Sequence, residues 1–169
     1  MREKLSGRHL YLYKRHLYPN YLKRGSAAKY IIPIAQEFCK GKGLDIGGKK
    51  DCHFPGAQII NIEYPGMFEA TDLPFKQFDY IFSSHTLEHL PATGLTLSYW
   101  RSHLKPDGIL FLYLPHPDML YWLPENCKKH LHSFTPEEMT TLLNDAGFTV
   151  IMRSQRDSFW SYAIAAILR

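Results

Sequence analysis

Three groups of residues in this 169-residue sequence have types and spacings that could do chemistry. The first is Gly43-Leu-Asp-Ile-Gly-Gly48, an apolar run that opens into Asp-x-Gly-Gly. Asp45 supplies an anionic group there. Gly47 and Gly48 carry no Cβ, so a ligand can approach their backbone closely. The second group is Ile59-Ile-Asn-Ile-Glu63, an apolar run ending in a carboxylate 18 residues after Asp45. A carboxylate so placed offers two acceptors to vicinal hydroxyls, as the ribose-binding residue of nucleoside-binding α/β folds does. The third group is the histidines His85, His116, His130 and His132, which fall after the two later apolar runs. An imidazole that titrates near neutrality can take a proton from an acceptor hydroxyl.

These residues need elements to hold them. Gly43–Ile46 and residues 58–63 read as parallel strands, and only 47–57 lies between them. That is close to the shortest crossover a parallel pair tolerates, so the helix that ordinarily fills it must be one turn or absent. A short third strand is expected near Glu69-Ala-Thr-Asp72. A fourth is expected at Phe78–Ser83, and a fifth, almost wholly apolar and hence central, at Gly108–Leu114. A helix over 93–104 has Leu97, Trp100 and Leu104 on one face. Thr135-Pro-Glu-Glu138 is a capping box with proline at the first helical position, predicting a helix over 136–146 that Gly147 closes. Residues 148–154 and 160–168 read as a final hairpin. Ser26 is expected to cap an earlier helix reaching about Lys40, with Tyr30, Ile31, Ile34 and Phe38 on its apolar face.

Composition bounds the class. The chain is 45% hydrophobic and 21% charged, as in ordinary globular proteins. No apolar stretch approaches the roughly 20 residues of a membrane span, and the N-terminus lacks a signal-peptide core. Cys39, Cys52 and Cys127 are odd in number and lack CxxC spacing, which implies a reducing compartment, with the cytoplasm as the default. Charge is uneven: residues 1–24 hold seven Lys/Arg against one Glu, and the remainder thirteen against fifteen acidic residues.

The order of these pieces, with Leu73-Pro-Phe, Phe78-Asp-Tyr-Ile and Leu104-Lys-Pro-Asp-Gly, resembles the class I S-adenosylmethionine (SAM) dependent methyltransferases over about residues 40–169. The resemblance implies a three-layer α/β Rossmann-like fold. Its mostly parallel seven-stranded sheet would have the order 3-2-1-4-5-7-6, with the last strand antiparallel and the early helices shortened. Residues 1–169 would form one domain, with 1–40 as a basic, aromatic, helical extension. SAM is the implied cofactor. Asp45, Gly47 and Gly48 would meet its amino-acid tail, Glu63 its ribose, Asp72 and Leu73 its adenine, and Ser83 and Ser84 its methionine part. The chain departs from the family in its glycine loop, where Lys49-Lys50 replaces the usual continuation to a third glycine.

The excursion 116–134 should roof the acceptor pocket. His116, His130 and His85 are the candidate catalytic groups, and Asp118, His132 and Tyr121 the candidate acceptor contacts. The mixture suits a small polar acceptor such as a sugar or glycan, methylated on oxygen. A scaffold module without turnover is one rival reading. A nucleic-acid methyltransferase that uses the basic N-terminal segment as a backbone-tracking arm is another. His85-Thr-Leu-Glu-His89 also fits the H-x-x-E-H pattern of inverted zinc peptidases. It lies directly after a strand ending in Ser-Ser, where such methyltransferases show His-x-Leu-Glu-His. No metal is therefore expected, and Glu88 and His89 should brace the loop.

Overall fold

The computed structural model describes residues 10–19, 28–66, 68–74 and 76–169. The expected cap Ser26 lies outside them. Two short strands, β1 (Leu10–Tyr13) and β2 (His16–Pro19), pair antiparallel as a hairpin. So within the expected helical extension 1–40, residues 10–19 form a hairpin and the helix is confined to 28–38 among the described residues. The hairpin's alternating Leu-Tyr-Leu-Tyr and His-Leu-Tyr pattern is strand-like, and Lys14 and Arg15 take positive φ at the turn.

Helix α1 (Ala28–Phe38) follows, with Pro33 inside it. Its buried residues are Ile31 and Ala35, whereas Ile34 is exposed, so the buried face is narrower than the expected stripe. The main sheet then builds from β3 (Gly43–Ile46), β4 (Gln58–Ile60), β5 (Phe78–Ser84), β6 (Leu104–Pro115), β7 (Phe148–Arg153) and β8 (Ser161–Leu168). The strand order is β4-β3-β5-β6-β8-β7. Pairs β3–β4, β3–β5 and β5–β6 are parallel, and β8 runs antiparallel to both neighbours. This is the expected order without its third strand. Residues 69–72 form only a tight turn, in which Asp72 N–H donates to Glu69 O, because a run of Glu-Ala-Thr-Asp has only the small Ala70 to pack against the core.

No helix occupies 47–57, as the short crossover required. Helices α2 (Thr93–Ser102) and α3 (Pro136–Asp145) complete the fold. The Thr135–Glu138 capping box forms in both directions, and Gly147 follows at φ +86°. Strand alternation divides the core between two faces. Tyr80, Phe82, Phe111 and Tyr113 pack with α1 on one face. Ile81, Leu110, Leu112 and Leu114 pack on the other with Trp100 of α2 and Met139 and Leu143 of α3. The result is three layers, with the carboxyl ends of β3, β5 and β6 side by side at the reversal of strand order. Ligands of open α/β sheets bind at that place.

Candidate functional site

Register sets the site. Ile46 pairs with Ser83, and Ser84 pairs with Tyr113, so the glycine loop, the end of β5 and the end of β6 lie one strand apart. A recess at this level is lined by Asp45, Gly47, Gly48, Lys49, Cys52, Ser84 and Ala28. Four of those seven are residues the sequence assigned to the cofactor. Asp45 is 1% exposed, and its Oδ2 accepts from Phe54 N–H at 2.6 Å. Burial pushes its carboxyl up to about 6, against the pull of that hydrogen bond.

The glycines meet protein as well as any ligand. Gly47 has φ +89°, donates its N–H to Ile60 O at 2.7 Å, and leaves no room for a Cβ because the Thr86 hydroxyl fills that space. A Cβ on Gly48 would stand 2.7 Å from Asp45 Cγ. Thr86 Oγ1 lies 3.1 Å from Ile46 O and 3.2 Å from Ser84 O, and so ties the loop to β5. Asn61 does the same from β4. Its Nδ2 donates to Gly48 O at 3.0 Å, and its Oδ1 accepts from Glu63 N–H at 2.9 Å. Sequence reasoning missed both residues. Asn61 left a signal, as the polar interruption of Ile59-Ile-Asn-Ile.

Glu63 is exposed in the turn after β4, held there by Asn61 and free to reach a ligand with both oxygens. Two assignments need correction. Leu73 is buried in the α2/α3 core, with its N–H donating to Tyr99 Oη at 2.8 Å, so it offers no platform for a ring. Ser83 is buried, and its hydroxyl is spent on Ile46 O at 3.1 Å, holding β5 to β3 beneath the loop. Ser84 lines the recess, and Asp72 stands exposed in its turn.

The histidines separate. His85 takes positive φ (51°) directly after β5, its Nε2 lies 3.0 Å from Ser161 Oγ, and burial pushes its pKa down to about 3. His130 is 8% exposed and packs edge-on against His89, and burial pushes it down to about 4. Imidazoles so weakly basic are poor proton acceptors at neutral pH. His132 ties the excursion down, with Nε2 3.2 Å from Pro91 O, and stacks on Phe134. Tyr121 packs edge-on against Tyr13 of the hairpin.

His116 sits just past β6 with Asp118 and Arg156. Its Nδ1 accepts from Asp118 N–H at 3.2 Å and lies 3.5 Å from Asp118 Oδ2, which Arg156 Nε also meets at 3.2 Å. With Nδ1 accepting, the neutral ring carries its proton on Nε2 and presents a donor. That differs from the general base expected of it. Asp118 is exposed, with a side chain 58% accessible.

A carboxylate on the β4 turn and a glycine loop stand at the strand-order reversal, where open α/β sheets bind nucleoside ligands, with a polar rim beside them at the end of β6. The comparisons specify the site further. Residues 23–152 match the family described as methyltransferase domain, so the chain belongs to that family and is a class I SAM-dependent methyltransferase. No curated protein matches it.

Solved structures share the fold at low identity. The Burkholderia thailandensis 1,6-didemethyltoxoflavin-N1-methyltransferase, bound to S-adenosylhomocysteine, superposes at TM-score 0.68 with 18% identity, covering 86% of this chain and 80% of that one. A chain from the complex of the Haloferax volcanii Trm112 methyltransferase activator with a methyltransferase gives TM-score 0.65 and 12% identity, covering 88% and 92%. Human N-acetylserotonin methyltransferase, in complex with SAM, gives 0.60 and 17%, covering 84% and 51%. No helix among the described residues is long and apolar enough to cross a membrane.

The residues present fit SAM. Two carboxylates match its ammonium and its ribose hydroxyls, and the recess lined by Gly47, Gly48 and Ser84 presents loop backbone where the tail would lie. The cofactor-free protein should also show Asp45 in its pH dependence. A carboxyl raised to about 6 binds its proton more tightly folded than unfolded. Its stability contribution is therefore full below the ordinary value near 3.8 and is lost as pH rises through 6. Asp45→Asn should remove that loss, gaining up to roughly 2 kcal/mol on the wild type between pH 4 and pH 7. Parallel urea curves at the two pH values would refute the assignment.

Proposed function

We propose that this methyltransferase acts on a small, hydroxylated acceptor, a sugar or glycan oxygen being the first candidate. The observation that carries the reading is the rim formed by His116, Asp118 and Arg156, one strand over from the recess at Ser84. Such a rim offers lone pairs, an imidazole N–H and a guanidinium, which suits a ligand dense in hydroxyls. Bound SAM supplies an electrophilic methyl on a sulfonium, and the protein's main task is alignment. Glu63 takes the ribose hydroxyls and Asp45 the tail's ammonium. Lys49, at the edge of the recess, offers the tail carboxylate a cation that the family's usual glycine would not. The imidazole of His116 orients the acceptor through Nε2–H, and the exposed Asp118 carboxylate accepts the acceptor's hydroxyl proton in a hydrogen bond.

Cofactor binding is tested first. Glu63→Ala should weaken SAM by about 2–3 kcal/mol through lost charge-assisted hydrogen bonds, without unfolding the protein. Unchanged affinity by calorimetry would remove Glu63 from the site. The acceptor class is tested by S-adenosylhomocysteine release over panels of sugars, small amines and oligonucleotides. Turnover with sugars that falls in Asp118→Ala through a raised KM supports the reading. Turnover only with oligonucleotides would replace it.

A further inference from the structure

The turn after β5 and the excursion after β6 bring three metal-ligating side chains together. Glu88 and His89 lie on the single helical turn Leu87–His89, and His130 comes from the excursion. One ligand atom from each lies within 4.8 Å of the other two. Glu88 is 1% exposed, yet neither of its carboxylate oxygens has a hydrogen-bond partner among the described residues. His130 Nδ1 is also buried without one. His89 Nδ1 lies 2.6 Å from Lys129 O and so carries the proton, which leaves Nε2 as a lone pair 3.9 Å from Glu88 Oε1.

The Ser161 hydroxyl donates to Phe159 O, so the His85 proton sits on Nε2 and its Nδ1, 3.7 Å from Glu88 Oε1, is a further lone pair. Lone-pair atoms therefore converge with no protein donor among them, an arrangement that a proton or a cation must compensate. Two imidazoles and a carboxylate are a zinc ligand set that keeps a fourth position open. The carbonyl at Lys129 also orients His89 as second-sphere partners of zinc histidines do. We propose that Glu88, His89 and His130 bind a divalent transition-metal ion of the zinc type. The sequence leads to an expectation of no metal, its H-x-x-E-H match pairing His85 with His89; in the fold His85 meets Ser161 Oγ through Nε2 at 3.0 Å and lies 3.7 Å from Glu88 Oε1 through Nδ1. His130, 41 residues after His89, could not be paired with it by spacing.

Tetrahedral zinc needs ligand atoms about 3.3 Å apart, so the three side chains close inward around the ion. Coordination would pin the excursion 116–134 to the end of β5, reinforcing the bonds that Leu131 N–H and His132 N–H already make to Glu88 O. The partly exposed His89 gives the ion a path in.

The test uses the full chain, stripped with chelator and titrated with Zn²⁺, with metal counted by elemental analysis and melting followed in parallel. One equivalent per chain and a raised Tm are expected. Glu88→Gln and His130→Ala should each lose stoichiometric uptake, whereas His16→Ala, an exposed imidazole on the hairpin, keeps it. No uptake by the wild type would overturn the proposal, with a proton on Glu88 then compensating the cluster. An equivalent retained by both variants would overturn it too. Should the variants not fold, X-ray absorption of the zinc-loaded wild type decides. A shell with two imidazoles supports the site, and one without imidazole overturns it.

Discussion

Gly47→Ala should lower stability by roughly 3 kcal/mol and remove measurable SAM binding, a large loss for a single methyl group. Two costs combine. Gly47 holds φ +89°, where a residue with a Cβ is strained by about 1–3 kcal/mol. The new Cβ would also overlap the Thr86 hydroxyl, which cannot leave without breaking its ties to Ile46 O and Ser84 O. Overpacking of this kind adds about 1–3 kcal/mol. The loop would relieve the overlap by lifting off β5, carrying Gly48 and Lys49 out of the recess. A double-mutant cycle separates the two terms. Thr86→Ala in the Gly47→Ala background should recover the steric part and leave the dihedral part. Urea denaturation and calorimetry with SAM read both. A Gly47→Ala protein that melts and binds like the wild type would refute this geometry for the loop.

The same loop shows what the sequence could and could not tell. Gly43–Ile46 was readable to the residue, because a buried parallel strand is a bare apolar run ended by glycine. The α3 cap was readable too, since its signal is local. Leu73 was misassigned because its side chain answers to Trp100 and Leu97 of a later helix, which no local pattern reports. Ser83 and Ser84 are adjacent and identical in type, and strand alternation alone sends one inward to β3 and the other to the recess. Nothing in the sequence marks Thr86, whose role appears only when β5 lies beside β3. His130 falls with His85, His116 and His132 in the segments that leave the two later strands, yet the excursion turns it to His89 and Glu88. The fold was legible because periodicity carries it. Much of the site was not, because contacts between loops distant in sequence make it.

The N-terminal hairpin gives the second large effect, on the acceptor side of the molecule. Tyr18 is fully buried, packed with Met119 and Trp122 of the excursion and edge-on against Trp160 at 4.8 Å. Its hydroxyl donates to Asp118 O at 3.2 Å and accepts from Leu120 N–H at 3.3 Å. Lys14 adds a bond from Nζ to Asn126 Oδ1 at 2.7 Å. This part of the basic segment is thus engaged with residues 118–126, the roof of the acceptor rim under the proposed function, which argues against its serving as an arm for nucleic acid. Tyr18→Ala should cost about 3–5 kcal/mol in local packing, as truncation of a buried aromatic does. The loss should concentrate in residues 116–126, seen as faster amide exchange there while β3, β5 and β6 stay protected. KM for the acceptor should rise because Asp118 loses its support, whereas SAM affinity should hold, since Asp45 lies on β3 and Glu63 on the turn after β4. Tyr18→Phe keeps the packing and gives up only the hydroxyl, so it should cost about 1 kcal/mol. If Tyr18→Ala leaves exchange at Met119–Trp122 unchanged, the hairpin does not hold the roof. If it weakens SAM as much as the acceptor, the two halves of the site are coupled and the separate roles given to them fail.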